Sequence, residues 1–287
     1  MNYSALIQNR KSVREFTDKK VPADMLAEIA AYHQGSCQRL IPDLKTDLRI
    51  FGEEAGKALL GAAGYQSFLI GAPQYLVLLS GQAPHAGENA GYIMEDLVLK
   101  LADMNLSCCW ITFTDSAQVK LALNITADMD VAAIVAFGYG VKTTKRLRLN
   151  ILSMSNVDIS AKRQYFAPKN SIRDMVFMNA WGNCEGVDEF IGFYDDMLWE
   201  AFYAASLSPS YLNRQPYGFV ICDGKLVLVR KPDSYTTEID GKLDLGIVLL
   251  HFTSVASQWA GKISWSFTDG GQLQLPEGYA AVASCAL

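Results

Sequence analysis

The chain echoes itself. Met25-Leu26-Ala27-Glu28 returns 172 positions later as Met197-Leu198-Trp199-Glu200, and the same offset carries Ser36 onto Ser208 and Leu40 onto Leu212. Both stretches space their apolar residues as a helix would: Met25, Leu26, Ile29 and His33 in one, Met197, Leu198, Ala201, Phe202 and Ala205 in the other. Further along, the strand-like run from Tyr75 to Leu79 resembles the run from Lys225 to Val229. The offset there has fallen to about 155, which carries Gly91 onto Gly246 and Trp110 onto Trp265. The runs after these two glycines are apolar almost all round, so each should be a helix buried on most sides. Shared order implies a duplicated architecture of two related halves. The falling offset implies an extra segment in the first half, read as a helix over Thr46 to Ala63. The first half then runs helix, helix, strand, buried helix, strand (109–113), strand (131–137), an α+β or α/β order. Residues Thr143 to Asn183 show no clear period and read as a connecting arm.

Half of the 287 residues are hydrophobic and 19% are charged, so a packed globular core is expected. The net charge of −5 comes with no long basic block, which argues against nucleic acid as a partner. Two local basic clusters, Arg10/Lys11/Arg14 and Lys142/Lys145/Arg146/Arg148, suit a small anion instead. The N-terminus lacks a secretory apolar core and no apolar run approaches membrane-spanning length, so a cytoplasmic location is the expectation. The six cysteines form no CxxC pair and the three histidines are far apart, so no metal site is expected and the thiols read as small buried hydrophobes.

Two motifs could hold a ligand. In Asn9-Arg10-Lys11-Ser12-Val13-Arg14, two arginines four apart with a serine between them could surround a phosphate through charge-assisted, bidentate bonds; the alternative is a solvated basic turn. In Ser208-Pro209-Ser210-Tyr211-Leu212-Asn213-Arg214-Gln215-Pro216, Pro209 stiffens a turn and Pro216 holds Gln215 extended. The hydroxyls and the Asn213 amide could edge a planar heterocycle; the alternative is turn chemistry alone. Gly138-Tyr139-Gly140 follows a strand, but Thr143 stands where a dinucleotide fingerprint needs its third glycine. Hydrolase signatures are absent. With few acid–base or nucleophilic candidates, a cofactor would have to carry any chemistry.

NRKSVREF followed by VPADML resembles the opening of the FMN-dependent nitroreductase family. SPSYLNRQP resembles that family's second signature, supplied by the partner subunit of an obligate dimer, and CCWITF resembles the segment beside the flavin N5. Gly138-Tyr139-Gly140 with Arg146 and Arg148 resembles its closing segment. The resemblance implies a nitroreductase-like α+β fold with two halves, each a mostly antiparallel sheet flanked by helices, packed as an intramolecular pseudo-dimer. It implies halves at 1–150 and 184–287 joined by an arm at 151–183. Arg10, Lys11, Ser12, Arg14 and Arg146 or Arg148 would hold the FMN phosphate. Trp110, Thr112 and Phe113 would lie by N5, with a backbone N–H at 112 or 113 donating and Phe113 narrowing the pocket. Ser208, Pro209, Ser210, Asn213 and Gln215 would hold the ring edge. The second half lacks an Arg-x-Ser-x-Arg and the first lacks the SPSxxNxQP loop, so one FMN per chain is implied. The implied activity is ping-pong reduction of nitroaromatic or quinone acceptors by NAD(P)H, with the chain a monomer. The alternatives are a non-catalytic FMN-binding protein, acting as sensor or store, and a cofactor-free scaffold.

Overall fold

The computed structural model describes the chain except residues 66–67, 142–145, 154–155, 163–166, 195, 269 and 272, and gives the backbone alone for 146–153 and 156–162. The N-terminal half opens with helices α1 (Tyr3–Asn9) and α2 (Ala23–Gly35), the first capped by the Asn2 side chain. It continues through β1 (Thr46–Gly52), α3 (Glu54–Ala58), β2 (Gln74–Ser80), α4 (Ala86–Asp103), β3 (Ser107–Ile111), α5 (Ser116–Ala122) and β4 (Asp130–Gly138). A hairpin of β5 (Arg146–Ser153) and β6 (Asn156–Lys162) follows, then the short strand β7 (Val176–Met178). The C-terminal half comprises α6 (Val187–Gly192), α7 (Met197–Ser206), β8 (Tyr217–Cys222), β9 (Lys225–Arg230), α8 (Glu238–Ala260), β10 (Ser266–Phe267) and β11 (Ala280–Ala286).

The duplication is written in the topology. The first sheet has the order β1-β2-β4-β3, and the second contains the same order as β8-β9-β11-β10, with β7 added beside β8. Every pairing is antiparallel except that of β7 with β8. The echoing segments occupy equivalent places. α2 and α7 precede the first strand of each sheet, and α4 and α8 cross over from the second strand to the edge strand.

These two long helices make the central contact between the halves. They touch at the echoed glycines: a Cβ on Gly246 would overlap the Glu88 carbonyl oxygen, and one on Gly91 would overlap that of Leu243. Neither glycine has an unusual φ, so the demand is for close approach of backbones and not for conformational freedom. With α4 packed on both sheet and partner helix, its residues from Glu88 to Leu99 are buried without interruption, as the all-round apolar pattern requires. The inner faces of the sheets bring Leu76, Leu78, Val135 and Phe137 under α4, and Phe219, Leu226 and Leu228 under α7 and α8.

One expected element is corrected. Thr46 to Ala63 is not one helix: it is the edge strand β1 and the five-residue α3. Leu48 and Ile50 alternate toward the core while Asp47 and Arg49 pair at 2.7 Å on the exposed side, a period of two that a helix cannot use. The extra segment of the first half is therefore shifted. β8 and β9 are joined by the tight turn Asp223-Gly224, whereas β1 and β2 are joined by residues 53–73, which carry α3 and a covering loop. Within the expected arm, β7 joins the second sheet. Among the described residues, no helix is long and apolar enough to cross a membrane.

Candidate functional site

Three segments meet at the open edge of β3. After α1 ends, the chain turns extended at Arg10 (ψ 133°) and runs beside the sheet. Ser12 bridges Cys108, Val13 donates its N–H to the Cys108 carbonyl at 2.9 Å, and Phe16 bridges Gly140. At the other end of β3, the Thr112 carbonyl accepts from the Gly64 N–H at 2.8 Å, tethering the 53–73 insertion. Cys108 and Thr112 thus both turn their carbonyls away from β4. By the two-residue alternation of a strand, Trp110 presents its N–H and C=O on the same edge, in the gap between the two tethers. The third segment is the loop 209–212, which arrives from the other half after α7.

Together they enclose a cleft of about 300 Å³, at the lower end for a small-molecule site. Ser12, Arg14, Trp110 and Thr112 line it from the first half, and Pro209 and Ser210 from the second. Tyr65 and Phe68 of the insertion close one side, with the Tyr65 ring edge-on to Tyr211 at 6.3 Å. Phe68 is 68% exposed at the mouth. Asp240 and Asp244, one turn apart on α8, stand at the base. Arg14 is exposed and makes no hydrogen bond or ion pair among the described residues. The Ser12 hydroxyl faces the Cys109 thiol, whose pKa is raised by burial against the opposing pull of Arg14 and Arg10.

Other expected contacts are spent elsewhere. Arg10 lies behind the cleft, its Nε 3.7 Å from the buried Glu95 carboxylate. Phe113, just beyond the end of β3, is 2% exposed in the core on the far face of the first sheet and is not part of the cleft lining. Ser208 is fully buried, and the Ser208 carbonyl and Asn213 Oδ1 both accept from the Lys169 ammonium, at 2.7 and 2.8 Å. Asn213 also donates to the Pro168 carbonyl at 2.7 Å. Gln215 is buried and ties Asn170 to Ser206, accepting at 3.0 Å and donating at 2.8 Å. These three shape the loop from behind; none lines the cleft. Lys11 is exposed and also outside the lining. Arg146 and Arg148 lie on β5, where the side chains fall outside the described residues.

The equivalent position in the opposite half is closed. The 155 offset places Phe267 where Thr112 stands, and His85 where Asp240 stands. Thr112 donates to Asp240 Oδ2 at 2.7 Å. Its counterpart Phe267 instead stacks flat on His85, with centroids 3.8 Å apart and planes 4° from parallel.

The family model described as "Putative TM nitroreductase" matches residues 2–176, more than half of the chain. The chain belongs to the nitroreductase family. The crystal structure of a putative nitroreductase from Thermotoga maritima superposes with a TM-score of 0.60 at 18% identity, covering 100% of this chain and 94% of that one. At that identity the likeness shows the fold alone. A nitroreductase family protein from Clostridium novyi aligns with a TM-score of 0.43 at 18% identity, over 49% of this chain and 86% of that one. For an FMN-dependent nitroreductase from Clostridium difficile the figures are 0.43 and 18%, over 48% and 87%. No curated protein matches the sequence.

Several residues of this nitroreductase-family site were not singled out from the sequence. Glu95 is buried on α4 and receives Trp110 Nε1 at 2.9 Å, with His251 Nε2 on its other oxygen at 2.9 Å. The His251 Nδ1 meets the Ala204 carbonyl at 3.1 Å, an acceptor only, so that nitrogen carries hydrogen. This network sets the orientation of Trp110 in the cleft wall. Lys169 is pushed down to about 8, first by burial and then by the Arg10 charge. Asp240 accepts from the hydroxyls of Thr112 and Thr237, each at 2.7 Å, and burial still raises its pKa. The offset that maps Asn89 onto Asp244 was the one signal that could have marked Asp244.

Proposed function

We propose that the chain is an FMN-dependent oxidoreductase in which NAD(P)H and a flat acceptor, a nitroaromatic or a quinone, use the cleft in turn. The observation that carries this reading is the cleft itself. A strand edge at Trp110, an arginine with no hydrogen bond or ion pair among the described residues and a loop from the opposite half converge on one apolar-walled space. That set fits FMN: Arg14 and Ser12 match a phosphate, the Trp110 edge offers a donor and an acceptor to a heterocycle, and Pro209 and Ser210 flank its plane. Arg146 and Arg148 of β5 are proposed as further phosphate partners. FMN would supply the hydride chemistry that no side-chain constellation here provides. The protein would position the reactants and exclude water. Glu95 would fix Trp110, and Tyr65 and Phe68 would stack on an aromatic acceptor.

The same reading divides the chain into halves at 1–150 and 184–287 with an arm at 151–183, of which β7 is the part that joins the second sheet. It makes the chain a monomer carrying one composite site.

The test is the visible spectrum of the purified protein, with released flavin quantified per chain, followed by anaerobic addition of NADH or NADPH. One FMN per chain and rapid bleaching support the proposal. Bound FMN that is not reduced leaves a flavin-binding protein without turnover. Failure to retain or take up FMN refutes the cofactor assignment.

A further inference from the structure

Asp244 is a buried carboxyl group with too few partners to be an anion. It is 3% exposed, and it lines the cleft. Among the described residues its hydrogen-bond partner is one backbone N–H, that of Tyr211, shared by its two oxygens at 3.0 and 3.1 Å. An ionised carboxylate offers about four acceptor sites and is tolerated in a protein interior only when these are paired. The nearby cation, Lys169, spends its ammonium on the Ser208 carbonyl and Asn213. The other charges that reach Asp244 are acidic: Asp240 a turn earlier on α8 and Asp233 ahead of that helix. Tyr217 approaches from β8, and beyond Lys169 lie Arg10 and Glu95, already facing each other. Among the described residues the Tyr217 hydroxyl faces Ser208 and Gln215, and neither it nor Ser208 Oγ makes a hydrogen bond with Asp244.

The duplication supplies an internal control. The residue equivalent to Asp244 is Asn89, whose Oδ1 accepts the N–H groups of Leu40 and Ile41 at 3.0 and 2.9 Å. Those residues sit on the loop equivalent to 211–213. Holding this loop thus needs an acceptor and no charge, and a neutral amide does it in one half. A neutral carboxylic acid does the same in the other and has an O–H left over.

We infer that Asp244 is a protonated carboxylic acid at neutral pH and donates its O–H to a carbonyl oxygen or ring nitrogen of the heterocycle held in the cleft, linking ligand binding to one proton. The heterocycle is the FMN of the preceding reading, on which this inference rests.

Two measurements test it on the full chain, using Asp244→Asn and Asp240→Asn. Infrared spectra of the flavin-free protein at neutral pH should show the carbonyl stretch of a protonated carboxyl group, lost in Asp244→Asn and kept in Asp240→Asn. FMN dissociation constants, read by fluorescence quenching across pH, should then be compared as the ratio of native protein to Asp244→Asn, which cancels the ionisation of the FMN phosphate. Native affinity should fall relative to the variant by about tenfold per pH unit once Asp244 ionises, and Asp240→Asn should keep that fall. A missing band, or a ratio flat with pH, overturns the inference while leaving FMN binding intact. A band without FMN binding at any pH refutes the flavin reading and with it the ligand half of the inference. Asn89 shows that the amide is compatible with this fold, and unchanged far-ultraviolet circular dichroism would verify it for the variant.

Discussion

Arg10 and Arg14, four residues apart in one motif, do different work. Arg14 is exposed at the cleft; the Arg10 side chain is 9% exposed, beside Glu95. Arg14→Ala should therefore weaken FMN binding by about 1.5–3 kcal/mol, the range for a hydrogen bond to a charged group. Its unfolding midpoint should move little, since exposed substitutions usually stay within about 0.5 kcal/mol. Arg10→Ala should instead act on stability, at about 1–3 kcal/mol, because the buried Glu95 loses its neighbouring guanidinium while keeping Trp110 and His251. Urea titration beside FMN titration of both variants checks the division; equal effects on both quantities would contradict it. Asp244 adds a pH dependence. Burial raises its pKa well above 3.8 in the folded chain, so the folded state holds a proton that the unfolded chain has released. Stability is then complete below the unfolded pKa and falls as pH rises toward the folded one. Asp244→Asn should remove this fall, so the difference in urea midpoint between variant and native chain should shift in the variant's favour as pH rises above about 4. A constant difference would mean that Asp244 does not titrate with folding.

At the scale of elements, the echoes in the sequence located the helices better than the connections. α2, α4, α7 and α8 were legible because each keeps one periodic apolar face or is apolar all round, and Gly91 and Gly246 because helix backbones meet there. β1 was misread because its alternating half-buried residues run straight into α3 with no turn residue but Gly52 between them. The cleft was half legible. Ser12, Arg14, Trp110, Thr112, Pro209 and Ser210, all from motifs, line one cleft, but so do Tyr65, Phe68, Asp240 and Asp244, which sit in segments with no motif. Their placement depends on the tether of Gly64 to Thr112 and on where α8 begins, both long-range facts. The helix contact gives a sharp prediction. Gly246→Ala drives a methyl into the Glu88 backbone, where rigid helix backbone must shift, at a cost of about 1–3 kcal/mol or more. Gly241→Ala, on the same helix in ordinary contact with Thr236, should be harmless. Equal urea midpoints for the two variants would show that α4 and α8 are not held at that distance.

At the scale of the molecule, two related halves produce one cleft because three differences accumulate on one side. The 53–73 insertion supplies the wall of Tyr65 and Phe68, while Asp223-Gly224 closes the corresponding connection in two residues. Phe267 stacked on His85 fills the space that Thr112 and Asp240 leave open. The segment before α6, with Cys184, Glu185 and Gly186, carries no counterpart of Arg14. Removing one of these differences should not restore a second site: Phe267→Ala should take up the same amount of FMN per chain as the native protein, since the segment before α6 would still offer no counterpart of Arg14. A covalent link between the halves has a further consequence. When a site is shared by separate subunits, dilution empties it through dissociation of the subunits, and apparent affinity depends on protein concentration. Here the loop 209–212 and Arg14 belong to one chain, so that dependence should vanish. At a fixed excess of free FMN, flavin bound per chain should stay constant over about a thousandfold range of chain concentration, as read by ultrafiltration and flavin fluorescence. A fall on dilution would mean that two chains complete each cleft, and that the fused halves pair with another molecule as well as with each other.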